Sequence, residues 1–281
     1  MIRSQIAEVR TTKAVGKCIY CGSIENLHDE HCIPESLNGF YVLGGGSCGD
    51  CGKITGRFEG DYARSSMLPV RTAWNMKSKR SKSKRPTEFP MRFKKGAREQ
   101  TIMVPVEDHY SVIPMIEIGP AGKNPNGSHT MGLRNRQYKL NPFRIRPDEH
   151  IDYLVKKYGA DKMSVDFQID VNGFLRMIAK IAYCYTVRYY GLSSIGERYV
   201  VPAILGTAND IWDWVGSDGT QMIHRLTSDM KTDHIVATWM EPDGELRARV
   251  KLFKKSLTPE YEVIVGRLTE QVYGFYQSVG R

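Results

Sequence analysis

The chain of 281 residues carries a net charge of +9, with 41% hydrophobic and 10% aromatic residues, enough to bury an ordinary core in one large or two small domains. No stretch approaches the roughly 18 to 20 uninterrupted apolar residues of a membrane span, and the start M-I-R-S-Q-I-A-E-V-R lacks the apolar run of a secretory signal. The expectation is a protein off the membrane in a reducing cytoplasm, its six cysteines serving as metal ligands and buried thiols, its charge suited to a polyanion.

Residues 1 to 17 form a polar, basic lead without a clear period, read as an extended arm or short strand. Two CxxC pairs follow, Cys18 with Cys21 and Cys48 with Cys51. Each short turn aims two sulfurs at one point, so the four thiolates can close a tetrahedral zinc site that holds a small motif together. Between the pairs lie Glu30-His31-Cys32-Ile33-Pro34 and then Asn38-Gly39, a hairpin signal. This reads as a strand that ends at an ionisable pair, turns and returns. Residues 52 to 64 read as a helix whose apolar stripe is Ile54, Phe58 and Tyr62. Glu59, two turns after Gly52, shares its face and points away from that stripe.

CxxC, then E-H-x-I-P, an N-G turn, and a second CxxC opening a helix that carries an acid: this ordered combination resembles the zinc-containing HNH endonucleases of the ββα-metal fold, over residues 18 to 64. The resemblance implies hydrolysis of nucleic-acid phosphodiesters, DNA above all, with one divalent cation, magnesium or manganese. It makes His31 the base that deprotonates the attacking water and Glu30 a cation ligand. Both residue types suit those tasks: imidazole titrates near neutrality, and a carboxylate is a hard oxygen donor. Many relatives have an asparagine after the last cysteine; here Gly52 stands there, and Glu59 is expected to supply the second ligand instead. Arg57 or Arg64 would clamp the scissile phosphate.

Competing readings accompany these residues. His28 and His31 can complete a mixed zinc site, Asp29 competes with Glu30 as cation ligand, and Glu59 can be a solvated helix residue. Cys32, next to the base, reads as a small buried hydrophobe.

Residues 77 to 85, K-S-K-R-S-K-S-K-R, form the densest charge run, with Pro86 and Pro90 after it. Such a run is a mobile linker by default; directly after the helix it also reads as a nonspecific phosphate contact, with Lys79 and Arg80 foremost. The expected division is 1 to 76 as the zinc-bound motif, 77 to 90 as linker, and 91 to 281 as a mixed α+β domain that positions substrate. Residues 100 to 106 and 110 to 118 read as a strand pair turning at Glu107-Asp108, and 119 to 135 as an exposed loop in which Lys123, His129, Arg134 and Arg136 can meet a ligand. Short helices at 148 to 158 and 210 to 215, a strand at 163 to 169 and a long helix at 172 to 190 with a Phe174, Met177, Ile178, Ile181 stripe follow. The last third reads as an antiparallel meander in which Arg247, Arg249 and Lys251 alternate with apolar residues to give one basic face. The fold class is thus α+β. The rival to an endonuclease is a zinc-stabilised nucleic-acid-binding or scaffold module without catalysis, favoured by Gly52.

Overall fold

A computed structural model describes residues 10–11, 14–65, 67–78, 80–122, 138–217, 233–256 and 258–279. The chain is mixed α+β, its strands almost all antiparallel. Strands β1 (Arg10–Thr11), β2 (Leu27–His31) and β3 (Tyr41–Cys48) form a small sheet in the order β1-β3-β2, with β2 and β3 antiparallel. Asn38 takes the left-handed conformation at φ 63° in the connection, and a Cβ on Gly39 would stand 2.0 Å from the Ile33 carbonyl oxygen. The turn therefore needs glycine at 39 and, at 38, a residue such as asparagine that tolerates the left-handed conformation. Helix α1 (Gly49–Arg64) leaves β3 directly, so the local order is hairpin, then helix. A short α2 (Leu68–Ala73) follows.

The remaining strands differ from expectation in their pairing. Strand β4 (Glu88–Lys95) starts inside the expected linker and pairs with β5 (Arg98–Pro105) through a tight turn at Gly96, φ 57°. Pro90 is tolerated there because β8 (Lys162–Ser164), the neighbour on the other side, reaches only Arg92 to Lys94. Strand β6 (Val112–Ile118) pairs with β7 (Tyr138–Arg144), so the strands on either side of Glu107-Asp108 go to different sheets. Periodicity shows that a segment is a strand but not which partner it takes. Of the strand expected at 163 to 169 only Met163 and Ser164 form, as part of Lys162–Ser164. Of the expected loop, residues 123 to 137, with Lys123, His129, Arg134 and Arg136, lie outside the described residues.

Helix α3 (Glu149–Lys157) has acids in its first turn and lysines in its last, complementing the helix dipole. Helix α4 (Val171–Tyr190) is the central beam: Phe174, Met177, Ile178, Ile181 and Tyr183 are buried, and Gly191 ends it at φ 83°. After β9 (Ile195–Glu197), α5 (Val200–Leu205), α6 (Ile211–Trp214) and β10 (Val215–Gly216) comes the meander β11 (Ile235–Met240), β12 (Glu245–Lys251) and β13 (Glu260–Leu268), in a sheet ordered β10-β13-β12-β11 with β9 on β13. Helix α7 (Glu270–Val279) follows. No described helix is long and apolar enough to cross a membrane.

One hydrophobic core joins Ile19, Ile33 and Leu37 of the N-terminal motif to α4 and to Leu246, Val250 and Val263 of the meander. A smaller cluster, with Met91, Phe93, Val104 and Leu154, belongs to β4, β5, β6 and α3. The basic face expected on β12 is not a wet surface. Arg247 pairs with Glu262 at 2.6 Å and Glu245 at 2.8 Å, Arg249 with Glu262 at 2.8 Å, and Arg249 and Lys251 are buried.

Candidate metal centre and active-site groove

The sulfurs of Cys18, Cys21, Cys48 and Cys51 all lie within 4.8 Å of one another, and Cys21 Sγ is 3.6 Å from Cys48 Sγ. Four thiolates at about 2.3 Å from a common tetrahedral ion are separated by distances of this size, so the donor set fits one structural zinc. The local fold explains the convergence. Gly22 N–H donates to the Cys18 carbonyl to close the first turn, while Cys48 ends β3 and Cys51 lies in the first turn of α1. The first turn is braced from two places: Tyr183 Oη of α4 donates to the Ile19 carbonyl at 2.5 Å, and Arg198 Nη1, from the link between β9 and α5, donates to the same oxygen at 3.2 Å. His28 is not drawn into this cluster; it is exposed and hydrogen-bonds Asn26 at 3.0 Å.

The hairpin and α1 form the floor of a groove of about 1160 Å³. A bulge between His28 and Glu30 breaks the register of β2 against β3, and Asp29, exposed but also at the groove, accepts the Gly45 N–H at 3.0 Å. Bulges commonly re-aim side chains beside active sites. Glu30 then faces inward, in space left by Gly46, where an added Cβ would stand 3.1 Å from that of Glu30. Glu59 approaches from α1, and both acids and His31 line the groove.

Between the two acids lies a side chain that the motif does not contain. Lys180 of α4 is fully buried, its Nζ 2.6 Å from Glu30 Oε1 and 2.8 Å from Glu59 Oε1, and it also donates to the His31 carbonyl oxygen. Burial opposes its charge, but Glu30 and Glu59 outweigh that and hold its pKa well above the ordinary lysine value. Burial pushes the Glu59 carboxyl upward, with Lys180 opposing. The Glu59 Oε1 contact is a close ion pair whose angles fall short of a regular hydrogen bond, and this buried oxygen has no other polar partner among the described residues. Two carboxylates and one ammonium leave a net charge of −1 beneath the groove.

His31 is half-buried. Its Nδ1 is sealed from solvent and has no hydrogen-bond partner among the described residues, an uncommon state for a buried nitrogen. Burial lowers its pKa below the ordinary 6.5; Lys180 acts in the same direction, and Glu35 and Glu30 oppose. Cys32 is fully buried and its thiol is pushed by burial to about 12, the behaviour of a small hydrophobe.

Basic residues line the groove, Lys53 and Arg64 from α1 and Lys77, Arg80 and Arg85 from the segment after α2, and three of them stand in exposed pairs: Lys53 with Asp50 and Arg64 with Asp61 at 3.1 Å, Lys77 with Glu35 at 3.7 Å. Arg71, also at the groove, has a scaffolding task, with hydrogen bonds to the carbonyls of Ser36, Ala63 and Lys77. Of the expected phosphate contacts, Arg64 and Arg80 line the groove, Arg57 is exposed outside its lining, and Lys79 lies outside the described residues. Lys180, Lys77 and Arg85 were not singled out from sequence. The signal for Lys180 was a single lysine inside an otherwise apolar stretch, M-I-A-K-I-A. No family model, no curated protein and no solved structure matches the chain.

Proposed function

We propose that the chain is a metal-dependent endonuclease of the HNH type that hydrolyses phosphodiester bonds in DNA. The observation that carries this reading is an unpartnered, neutral-leaning imidazole, His31, beside two carboxylates on the floor of a groove that basic residues line. His31 takes a proton from the water that attacks phosphorus, and the bond to the leaving 3′ oxygen breaks, yielding a 5′-phosphate and a 3′-hydroxyl. Glu30 and Glu59 are hard oxygen donors of the kind that hold magnesium or manganese with few protein ligands, the rest of the shell being water and phosphate. A cation bound there supplies positive charge to the phosphoryl and leaving oxygens. Arg64, Lys77 and Arg80 hold the flanking phosphates.

The test is nicking of supercoiled plasmid with Mg²⁺ by the zinc-loaded protein and by His31→Ala. A general base contributes about 100-fold or more, so the variant should lose at least that factor while keeping its zinc and its melting temperature. Cutting at the parental rate by His31→Ala would sink the assignment. A second reading, a zinc-stabilised nucleic-acid-binding module without catalysis, is favoured by Lys180, which already neutralises one of the two acids. On that reading the parent protein binds plasmid but nicks none of it under any divalent cation.

A further inference from the structure

We infer that Lys180 is a positioning residue of this site: its ammonium sets both the geometry and the charge of the donor pair formed by Glu30 and Glu59. The inference deepens the nuclease reading and rests on it. Lys180 itself is outside the groove lining and lies behind the carboxylates, at 2.6 and 2.8 Å from them. Its third contact, to the carbonyl oxygen of His31, ties the backbone of the base to the same nitrogen. Glu30 comes from the hairpin and Glu59 from α1, so the ammonium is the common point at which strand, helix and base are aligned.

The electrostatic consequence is equally direct. Two buried carboxylates facing each other repel, and both are largely withdrawn from water, with 7% and 18% of their side chains exposed. The ammonium offsets that repulsion and halves the negative charge that a divalent cation meets. It therefore favours a weakly held, exchangeable ion whose coordination is completed by substrate phosphate.

The experiment uses the full zinc-loaded chain and two substitutions, Lys180→Met and Lys180→Arg, with two readouts. Mn²⁺ binding without nucleic acid is followed by electron paramagnetic resonance, and plasmid nicking gives kcat and KM. Lys180→Met removes the charge, so Mn²⁺ should bind about tenfold tighter or more, while nicking at saturating Mn²⁺ falls about 100-fold. Lys180→Arg keeps the charge but moves it, so Mn²⁺ affinity should stay within about threefold while kcat drops about tenfold at unchanged KM. Parental kcat in folded, zinc-loaded Lys180→Arg overturns the inference, as does parental Mn²⁺ affinity in folded Lys180→Met. Should Lys180→Met fail to fold, Lys180→Arg decides by itself. If the parent protein cuts no nucleic acid, the nuclease reading falls separately, and the Mn²⁺ affinities still decide on Lys180.

Discussion

The surroundings of His31 favour its neutral form. Burial is the largest influence and Lys180 adds to it, so the imidazole gives up its proton below 6.5, and Glu35 is the strongest group pulling the other way. The expected kcat/KM profile therefore rises with pH, bends at a midpoint below 6.5 and stays flat to neutrality. Glu35→Gln should move that midpoint further down, and a midpoint that moves up or stays fixed counts against His31 as the titrating base. The same shift has a stability cost in acid. The folded protein resists protonation that the unfolded chain accepts, so the contribution is intact above 6.5 and lost as pH falls toward the folded value. The acid-histidine step was legible because motif residues are neighbours in sequence. Lys180 was not, because 149 residues separate it from His31 and a lone lysine in a helix ordinarily snorkels to water.

Among the elements, the hairpin of β2 and β3 is held by the shared core through Ile33, Leu37 and Leu43, and the four thiolates add the tie between the first CxxC turn, the end of β3 and the start of α1. Cys48 is at once the last residue of β3 and the cap of α1, so its replacement by serine should release zinc, lower the melting temperature by about 10 °C or more and abolish nicking. Zinc content and calorimetry check this, and a Cys48→Ser protein that melts like the parent refutes the structural role. Helices α1, α3 and α4 and the meander were readable to within a few residues, because their apolar periods are long and their stops are marked by Gly191 or Gly244. The pairing of β4 with β5 and of β6 with β7 was not. The decisive signals were a lone glycine at residue 96 and a partner strand some twenty residues further along, neither of which shows in a local alternation.

At the scale of the whole molecule, the net charge of +9 favours a polyanionic partner without saying where it would sit. The alternating basic residues of β12 spend their charge on Glu245, Glu260 and Glu262, buried or half-buried, whereas Lys77, Arg80 and Arg85, from the run that reads as a linker or a phosphate contact, stand along the groove, Lys77 in an exposed pair with Glu35 at 3.7 Å and Arg85 on Asn75. Replacing Lys77, Arg80 and Arg85 together by alanine should raise KM far more than it lowers kcat. It should also flatten the dependence of log KM on log salt by about 3 if each residue meets one phosphate of duplex DNA. An unchanged salt slope would place the substrate elsewhere.

Helix α4 joins its duties along a single length: Lys180 under the acids, Tyr183 on the Ile19 carbonyl, and Cys184 against the Tyr20 hydroxyl at 3.4 Å. The hairpin and helix therefore do not travel as an independent cassette. Lifted into another host without that rod, they would carry two uncompensated acids and a cysteine turn without its brace.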